Sequence, residues 1–379
     1  MTTLPTFCRG VLLLTLLPAA TRAETLEARV HALETQLAAL AAENKALRET
    51  KADRATPVAV TAAGRETKLA IGGFAQVHGE AGRAPDSRFA GLSDRFLLRR
   101  MRLGVKGAFG REFGFKVEAD LGANTVGASS GYRAQLTDAY AEWTAYPYAQ
   151  VRVGQFKTPF GAEQLMSDTA NPFVERSLPN DRLTIGRQIG VGVSGATKGK
   201  LLDYSAGLFN GSGVNTSAND NEQFLVAARV GVRVWDGKFA GRAGSWSAGA
   251  NAFTDRATGT FTGRREGLGF DTQVQLAPFA LRAEWLAGAQ DPRVGGDVDS
   301  DGWSVAALWS LADAWQLAAR FETYDPNTAT AANETDTLTL GLNWFIRGPD
   351  VAVSVNYLAG DADLGGGDDR LLARLQLIF

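Results

Sequence analysis

The sequence predicts an all-β fold: a 16-stranded antiparallel transmembrane β-barrel with an N-terminal coiled-coil helix. Three observations support this fold class. Sixteen segments after Lys68 place apolar residues at alternate positions, which is typical of strands with one apolar and one polar face. The last segment, residues 369–379, ends the chain on the aromatic Phe379. The N-terminus has the features of a secretory signal.

Residues 1–23 are predicted to be a signal peptide. Arg9 supplies the positive charge, residues 11–17 form an apolar run too short to span a bilayer, and residues 21–23 match a small-residue cleavage site. Cleavage would remove Cys8, the single cysteine, so we expect neither disulfides nor thiol chemistry afterwards. The alternative is a buried helix or a membrane anchor.

Residues 24–50 are predicted to form a coiled-coil segment, because apolar residues recur there at spacings of four and three. Asn44 occupies a seam position, where a polar residue fixes the register. We interpret the segment as a self-associating helix, and the alternative is one amphipathic helix docked on the barrel. Residues 51–67 lose the pattern, are rich in Ala and Thr, and are predicted to be a linker.

Residues 68–379 are predicted to be the barrel. An even number of strands suits an antiparallel barrel with both chain ends on one side of the membrane. A soluble β-sandwich or a β-solenoid would show the same alternation. The signal peptide, the lack of cysteine after it and the confinement of charges to one strand face favour the barrel. The final strand also resembles the closing strand of bacterial outer-membrane barrels.

The charged face of each strand is predicted to line the lumen, because a charge facing the bilayer midplane costs about 2–4 kcal/mol. The basic set is Arg100, Arg102, Lys106, Lys116, Arg152, Arg229, Arg233, Arg282, Arg320, Arg370 and Arg374. The acidic set is Glu118, Asp120, Asp138, Glu142, Asp203, Asp271, Glu284 and Glu322. Rows of spaced cations lower the barrier for an anion. The alternative is that ion pairs with the acids brace the wall.

Four motifs resemble the phosphate-selective porin O and P family. They are R-R-M-R-L-G-V-K-G at 99–107, G-Q-F-K-T-P-F-G at 154–161, E-R-S-L-P at 175–179 and G-R-Q-I-G-V at 186–191. The resemblance implies a trimeric, sixteen-stranded pore in the bacterial outer membrane. It also implies that a loop, residues 158–185 by position, folds into the lumen as a constriction.

The cation rows and this loop give the candidate substrate-binding residues. They are Arg100, Arg102, Lys106, Lys157, Arg176, Arg187, Arg229 and Arg233. Lys157 enters the loop and is the best single candidate for an anion contact. Its alternative role is a charge that stabilises a turn at a strand end.

The expected function is passive diffusion of small anions, phosphate among them, across the outer membrane. Alternatives are a general or weakly selective porin for small solutes, and a structural barrel with a plugged lumen. An enzyme is not expected, because the chain has only His31 and His78 and lacks a G-x-S-x-G nucleophile motif. Neither a cofactor nor, at a formal charge of -2, a nucleic-acid partner is expected. The expected partners are small anions, outer-membrane lipid and two further copies of the chain.

Overall fold

The computed structural model describes residues 58–62, 65–123, 126–127, 131–219, 221–258, 262–362 and 368–379. The predicted signal peptide, residues 1–23, and the predicted coiled coil, residues 24–50, lie outside the described residues. In the part that is described, no helix has the length and apolar character needed to cross a membrane.

Seventeen antiparallel strands occur in the described residues, and sixteen of them, β2–β17, form a closed barrel. Each of these strands pairs with the next along the chain, and β17 pairs with β2 to close the ring. The predicted 16-stranded antiparallel barrel is therefore confirmed. The strands are β1 Val58–Ala62, β2 Arg65–Gly82, β3 Arg95–Phe109, β4 Phe113–Asp120, β5 Gln135–Tyr146, β6 Ala149–Lys157, β7 Arg187–Ala196, β8 Leu202–Phe209, β9 Leu225–Phe239, β10 Arg242–Thr258, β11 Thr262–Leu276, β12 Phe279–Pro292, β13 Val298–Ala312, β14 Trp315–Asp325, β15 Thr335–Pro349, β16 Val351–Ala362 and β17 Asp369–Ile378.

Strand β1 lies in the range predicted to be a linker, and β2 begins at Arg65 rather than at Lys68. Partner β17 pairs with β2 only as far as Phe74. The first residues of β2 extend beyond it and would leave backbone groups unpaired on that edge. Strand β1 occupies this edge from Arg65 to Leu69. The composition of residues 51–67 does not reveal this pairing, because the need for it arises from a strand more than 300 residues away.

Strand β15 illustrates the two faces of the wall. Its large apolar side chains, such as Leu340 and Trp344, are exposed on the outer face, where lipid would cover them. The alternate residues Thr339 and Asn343 are buried inside the barrel. The Phe379 N–H donates to the Gly73 carbonyl at 3.0 Å, so the last residue of the chain takes part in closing the ring.

The segment between β6 and β7, residues 158–186, folds inside the barrel and is called the lumen loop below. It contains helix α1, Ala162–Leu165, a 3₁₀ turn, Asp168–Ala170, and helix α2, Leu178–Leu183. Ser177 caps α2 by accepting a hydrogen bond from the N–H of Asn180, and Pro179 fits the first turn, where no N–H is needed.

Candidate functional site

The lumen loop is attached to the inner wall through its backbone. Side chains of β10, β12, β14 and β16 accept hydrogen bonds from loop N–H groups, and side chains of β15 and β17 donate to loop carbonyls. The N–H contacts are Gly161 to Asn251 at 3.1 Å, Ala162 to Glu284 at 2.5 Å, Val174 to Asn356 at 2.7 Å and Leu178 to Glu322 at 3.1 Å. Asn343 donates to the Pro172 carbonyl and Arg374 donates to the Phe173 carbonyl, both at 2.9 Å. These bonds satisfy backbone groups that the irregular loop cannot pair internally.

Asp168 is the centre of a buried ion-pair cluster between the lumen loop and β3. Its carboxylate lies 2.6 Å from Arg102, 2.6 Å from Arg176 and 3.5 Å from Arg100. Burial opposes ionisation of this carboxyl, but the three guanidiniums outweigh it and hold the pKa of Asp168 well below its ordinary value. The cluster therefore stays charged and ties the tip of the loop to the wall.

Glu175 forms a second buried anchor. Its two oxygens accept from Arg99 at 2.5 and 3.0 Å, and Arg100 lies 3.4 Å away. Burial would raise the pKa of Glu175, but Arg99 and then Arg100 reverse the shift and lower that pKa. Strand β3 thus holds the loop at two carboxylates.

Arg99 reaches the lumen because of a β-bulge. Gln76 of β2 pairs with Arg100, while the next residue, Val77, pairs with Leu98, so Arg99 has no partner across the ladder. Both Arg99 and Arg100 are buried inside the barrel as a result. A strict two-residue period predicts that Arg99 faces lipid, so its position in the lumen was not predicted from the sequence. The adjacent arginines are the signal that could have shown a bulge, since lipid tolerates neither.

A cavity of about 300 Å³ remains between the lumen loop and the wall formed by β3–β7. Charged side chains account for eight of its lining residues. The cations are Arg102, Lys116, Arg152, Lys157 and Arg187, and the carboxylates are Glu118, Asp138 and Asp168. We call this space the cationic cavity.

The cations of this cavity share their carboxylate partners. Asp138 accepts from Lys116 at 2.5 Å and from Arg187 at 2.8 Å. Arg152 lies over the ring of Tyr140, at 4.1 Å from its centroid, and pairs with Glu142 at 2.9 Å. Lys116 also lies 3.0 Å from Glu118, so two carboxylates face the two cations Lys116 and Arg187.

Residues 75–379 match the family of phosphate-selective porins O and P. The chain belongs to this family. With its closed barrel, it is an outer-membrane porin, and the resemblance noted in the motifs is confirmed. Family and fold both point to a channel rather than to an enzyme.

Solved structures similar to this porin share its fold at low sequence identity. The outer membrane channel DcaP of Acinetobacter baumannii is 13% identical, with a TM-score of 0.62 over 85% of this chain and 100% of that one. The anion-selective porin of Comamonas acidovorans is 14% identical, with a TM-score of 0.59 over 83% and 100%. The trimer form of OmpT of Vibrio cholerae is 13% identical, with a TM-score of 0.59 over 83% and 99%.

One curated relative matches a shorter part of this porin. An uncharacterized protein of Caulobacter vibrioides is 31% identical over 106 residues. The match covers 27% of this chain and only 20% of that protein.

Three of the eight predicted binding residues, Arg102, Lys157 and Arg187, line the cationic cavity. The Lys157 ammonium donates to the carbonyls of Gln164 at 2.6 Å and Met166 at 2.8 Å. These bonds hold the end of α1 and leave one of the three ammonium donors for another partner. Lys157 therefore supports the loop from the end of β6, which is close to the alternative role of a charge that stabilises a turn at a strand end.

The other five predicted residues do not line this cavity. Arg100, on β3, and Arg176, in the loop itself, are both buried in the Asp168 cluster. Arg229 donates two hydrogen bonds to Asp271. Farther along the wall, Arg233 is half-buried and Lys106 is exposed. Conversely, Lys116 and Arg152 line the cavity although only their lumen-facing parity was predicted.

Proposed function

We propose that this porin mediates passive diffusion of small anions, phosphate among them, and that the cationic cavity is its selective constriction. The proposal rests on one observation: five cations and three carboxylates line the opening left by the lumen loop. The loop provides one side of the opening, and strands β3–β7 provide the other. A solute that crosses there must pass between them.

The electrostatic balance favours an anion, but only moderately. The lining residues carry an excess of two positive charges, and two carboxylates outside the lining, Glu142 beside Arg152 and Asp120 beside Arg102, offset much of its field. Alternating charges lower the barrier for an anion without binding it tightly, which conduction requires. A guanidinium such as that of Arg187 can also hold a phosphate through two parallel hydrogen bonds. We therefore infer modest anion preference with a shallow phosphate site.

The test is the reversal potential of the purified porin in a planar bilayer under a KCl gradient, before and after addition of phosphate. We expect a reversal potential on the chloride side and a chloride current that phosphate reduces. The variants Lys116→Gln and Arg152→Gln should each move the potential toward that of potassium. Arg242→Gln, which removes an exposed arginine at the first residue of β10, outside the cavity, is the matched control and should move it much less.

A general or weakly selective porin is the second candidate, and the carboxylates interleaved with the cations favour it. A cation could bind to carboxylates of the same cavity, which are Glu118, Asp138 and Asp168. A wild-type reversal potential near zero, or on the potassium side, with no effect of phosphate would assign the protein to this class.

We also infer that the porin is a homotrimer, in which each barrel has its own constriction. The trimer form of OmpT of Vibrio cholerae, which shares the fold, supports this inference. The predicted coiled coil, residues 24–50, would add a second contact between the chains. Sedimentation in detergent, with and without these residues, tests both parts of the inference.

A further inference from the structure

A second cavity, of about 220 Å³, lies on the other side of the lumen loop, against strands β11–β14. Much of its lining is apolar, including Met166 and Phe173 from the loop and Ala283 and Ala306 from the wall. Charged groups interrupt this apolar lining. The cavity is smaller than those that hold drug-sized ligands, so it suits a solute of a few heavy atoms.

Arg282 is a lining group whose hydrogen-bonding needs are not met within the described residues. Its Nη1 donates only to the sulfur of Met166, at 3.4 Å, and its buried Nε has no acceptor. Within the same described part of the chain, no carboxylate lies at ion-pairing distance from it. By contrast, Arg320 in the same cavity pairs with Glu322 at 2.5 Å. A carboxylate is the natural partner for the unused fork of Arg282.

An unfavourable pair of carboxylates lines the same cavity as this guanidinium. Asp271 and Glu284 are directly opposite each other on paired strands, and like charges in that arrangement repel. Asp271 is paired with Arg229 at 2.5 and 2.9 Å. Among the described residues, Glu284 accepts only from the N–H groups of Ala162 and Glu163. A carboxylate offers about four acceptor sites, so Glu284 can still bind an ammonium group.

The spacing of these groups suits a ligand with both charges. Arg282 and Glu284 are two residues apart on one face of β12, which separates their backbones by roughly 7 Å. The guanidinium can then bind the negative group, and the carboxylate the positive group, of a molecule whose opposite charges are close together. The lining carries two arginines against three carboxylates, Glu163 being the third, so a simple anion meets a net negative site.

We propose that this second cavity binds a small zwitterion, an α-amino acid with an apolar side chain, as it passes through the porin. Arg282 binds the carboxylate of the solute, and Glu284 binds its ammonium group. Met166 and Phe173 cover the side chain. The site is separate from the cationic cavity and does not depend on the anion selectivity proposed above.

The experiment is equilibrium titration calorimetry of the full chain in detergent with leucine and two truncated analogues. One analogue, 4-methylpentanoate, lacks the amino group, and the other, 3-methylbutylamine, lacks the carboxylate. We expect leucine to bind, and each analogue to bind about tenfold more weakly or worse, because each loses one hydrogen-bonded charge. If either analogue binds as tightly as leucine, the proposal that the site binds a zwitterion is wrong. It is also wrong if leucine does not bind.

Variants locate the binding site. Arg282→Gln should abolish leucine binding, and Glu284→Gln should weaken it about tenfold. Arg242→Gln removes an exposed arginine at the first residue of β10, outside the cavity, and should leave binding unchanged. Leucine binding that survives Arg282→Gln would refute the assignment. If a variant does not fold, the analogue series on the unaltered chain still decides. Calorimetry measures no current, so its outcome is independent of the reversal-potential test.

Discussion

Glu175→Gln should loosen the lumen loop strongly. Arg99 pairs with no carboxylate other than Glu175 within the described residues, whereas Arg100 keeps Asp168 at 3.5 Å. The substitution therefore leaves one buried guanidinium without a counter-charge. Removing one partner of a buried ion pair costs about 3–5 kcal/mol. At about 1.4 kcal/mol per factor of ten, the detached fraction of the loop should rise by about two to three and a half orders of magnitude.

Trypsin digestion measures this detachment, because the loop contains Arg176 and Arg182 and cleavage follows the population of the open form. We expect cleavage at these two sites to accelerate by about a hundredfold or more, and single-channel conductance to increase, while the barrel stays folded. Glu266→Gln is the matched control. It breaks a pair with Arg264 in which both side chains are about half exposed, and such pairs contribute about 0–1 kcal/mol.

The predicted role of the Arg99–Glu175 pair is wrong if the Glu175→Gln porin is cleaved at the same rate and has the same conductance as the unaltered porin. That result would mean that the backbone contacts of the loop hold it without the ion pair. Cleavage of both variants at the same raised rate would show instead that any loss of a carboxylate loosens the loop.

Three further perturbations test other parts of the structure. Asp168 and Glu175 have lowered pKa values, so their contribution to loop docking is present above the ordinary carboxyl pKa of about 4 and is lost only as pH falls through the lowered values. Conductance should therefore stay constant from pH 7 to about 5. A rise of conductance in that range would show that these two carboxylates do not hold the loop. Phe160→Ala removes a fully buried ring whose centroid lies 4.8 Å from that of Phe253, at a cost of about 3–5 kcal/mol, and should speed loop proteolysis as much as Glu175→Gln does. Gly73→Ala would place a Cβ 2.1 Å from the Arg102 carbonyl oxygen beside the closing strand, so it should reduce the folded fraction in a heat-modifiability gel; Gly296→Ala, where a Cβ meets nothing within 4 Å, should not.

The strand pattern was largely readable from the sequence. Alternation in the sequence predicts strands at 95–109 and at 188–197, among the sixteen segments. The first coincides with β3, and the second differs from β7 by one residue at each end. Lipid explains this success, because it requires apolar residues on one parity and excludes charges from it. Irregular features of the sheet could not be predicted from this alternation. The bulge at Arg99 and the strand β1 have no periodic signal of their own.

The binding residues were only partly readable. Parity places a side chain in the lumen, but it does not say whether a loop will later cover it. Arg100 and Arg176 were predicted to bind anions, but both are buried and paired with Asp168. Arg282 and Arg320 share one parity and one residue type, yet only Arg320 has a carboxylate partner in the described part of the barrel.

The sequence by itself determined the number of strands, their two faces and the family, because these depend on local period and on short motifs. Only the tertiary structure decided which charges remain available to a solute. That outcome depends on pairs distant in the chain, such as Arg99 with Glu175 and Asp138 with Arg187. A charge in a lumen is neutralised by whatever carboxylate the folded loop brings within a few ångströms of it, and no sequence period encodes that distance.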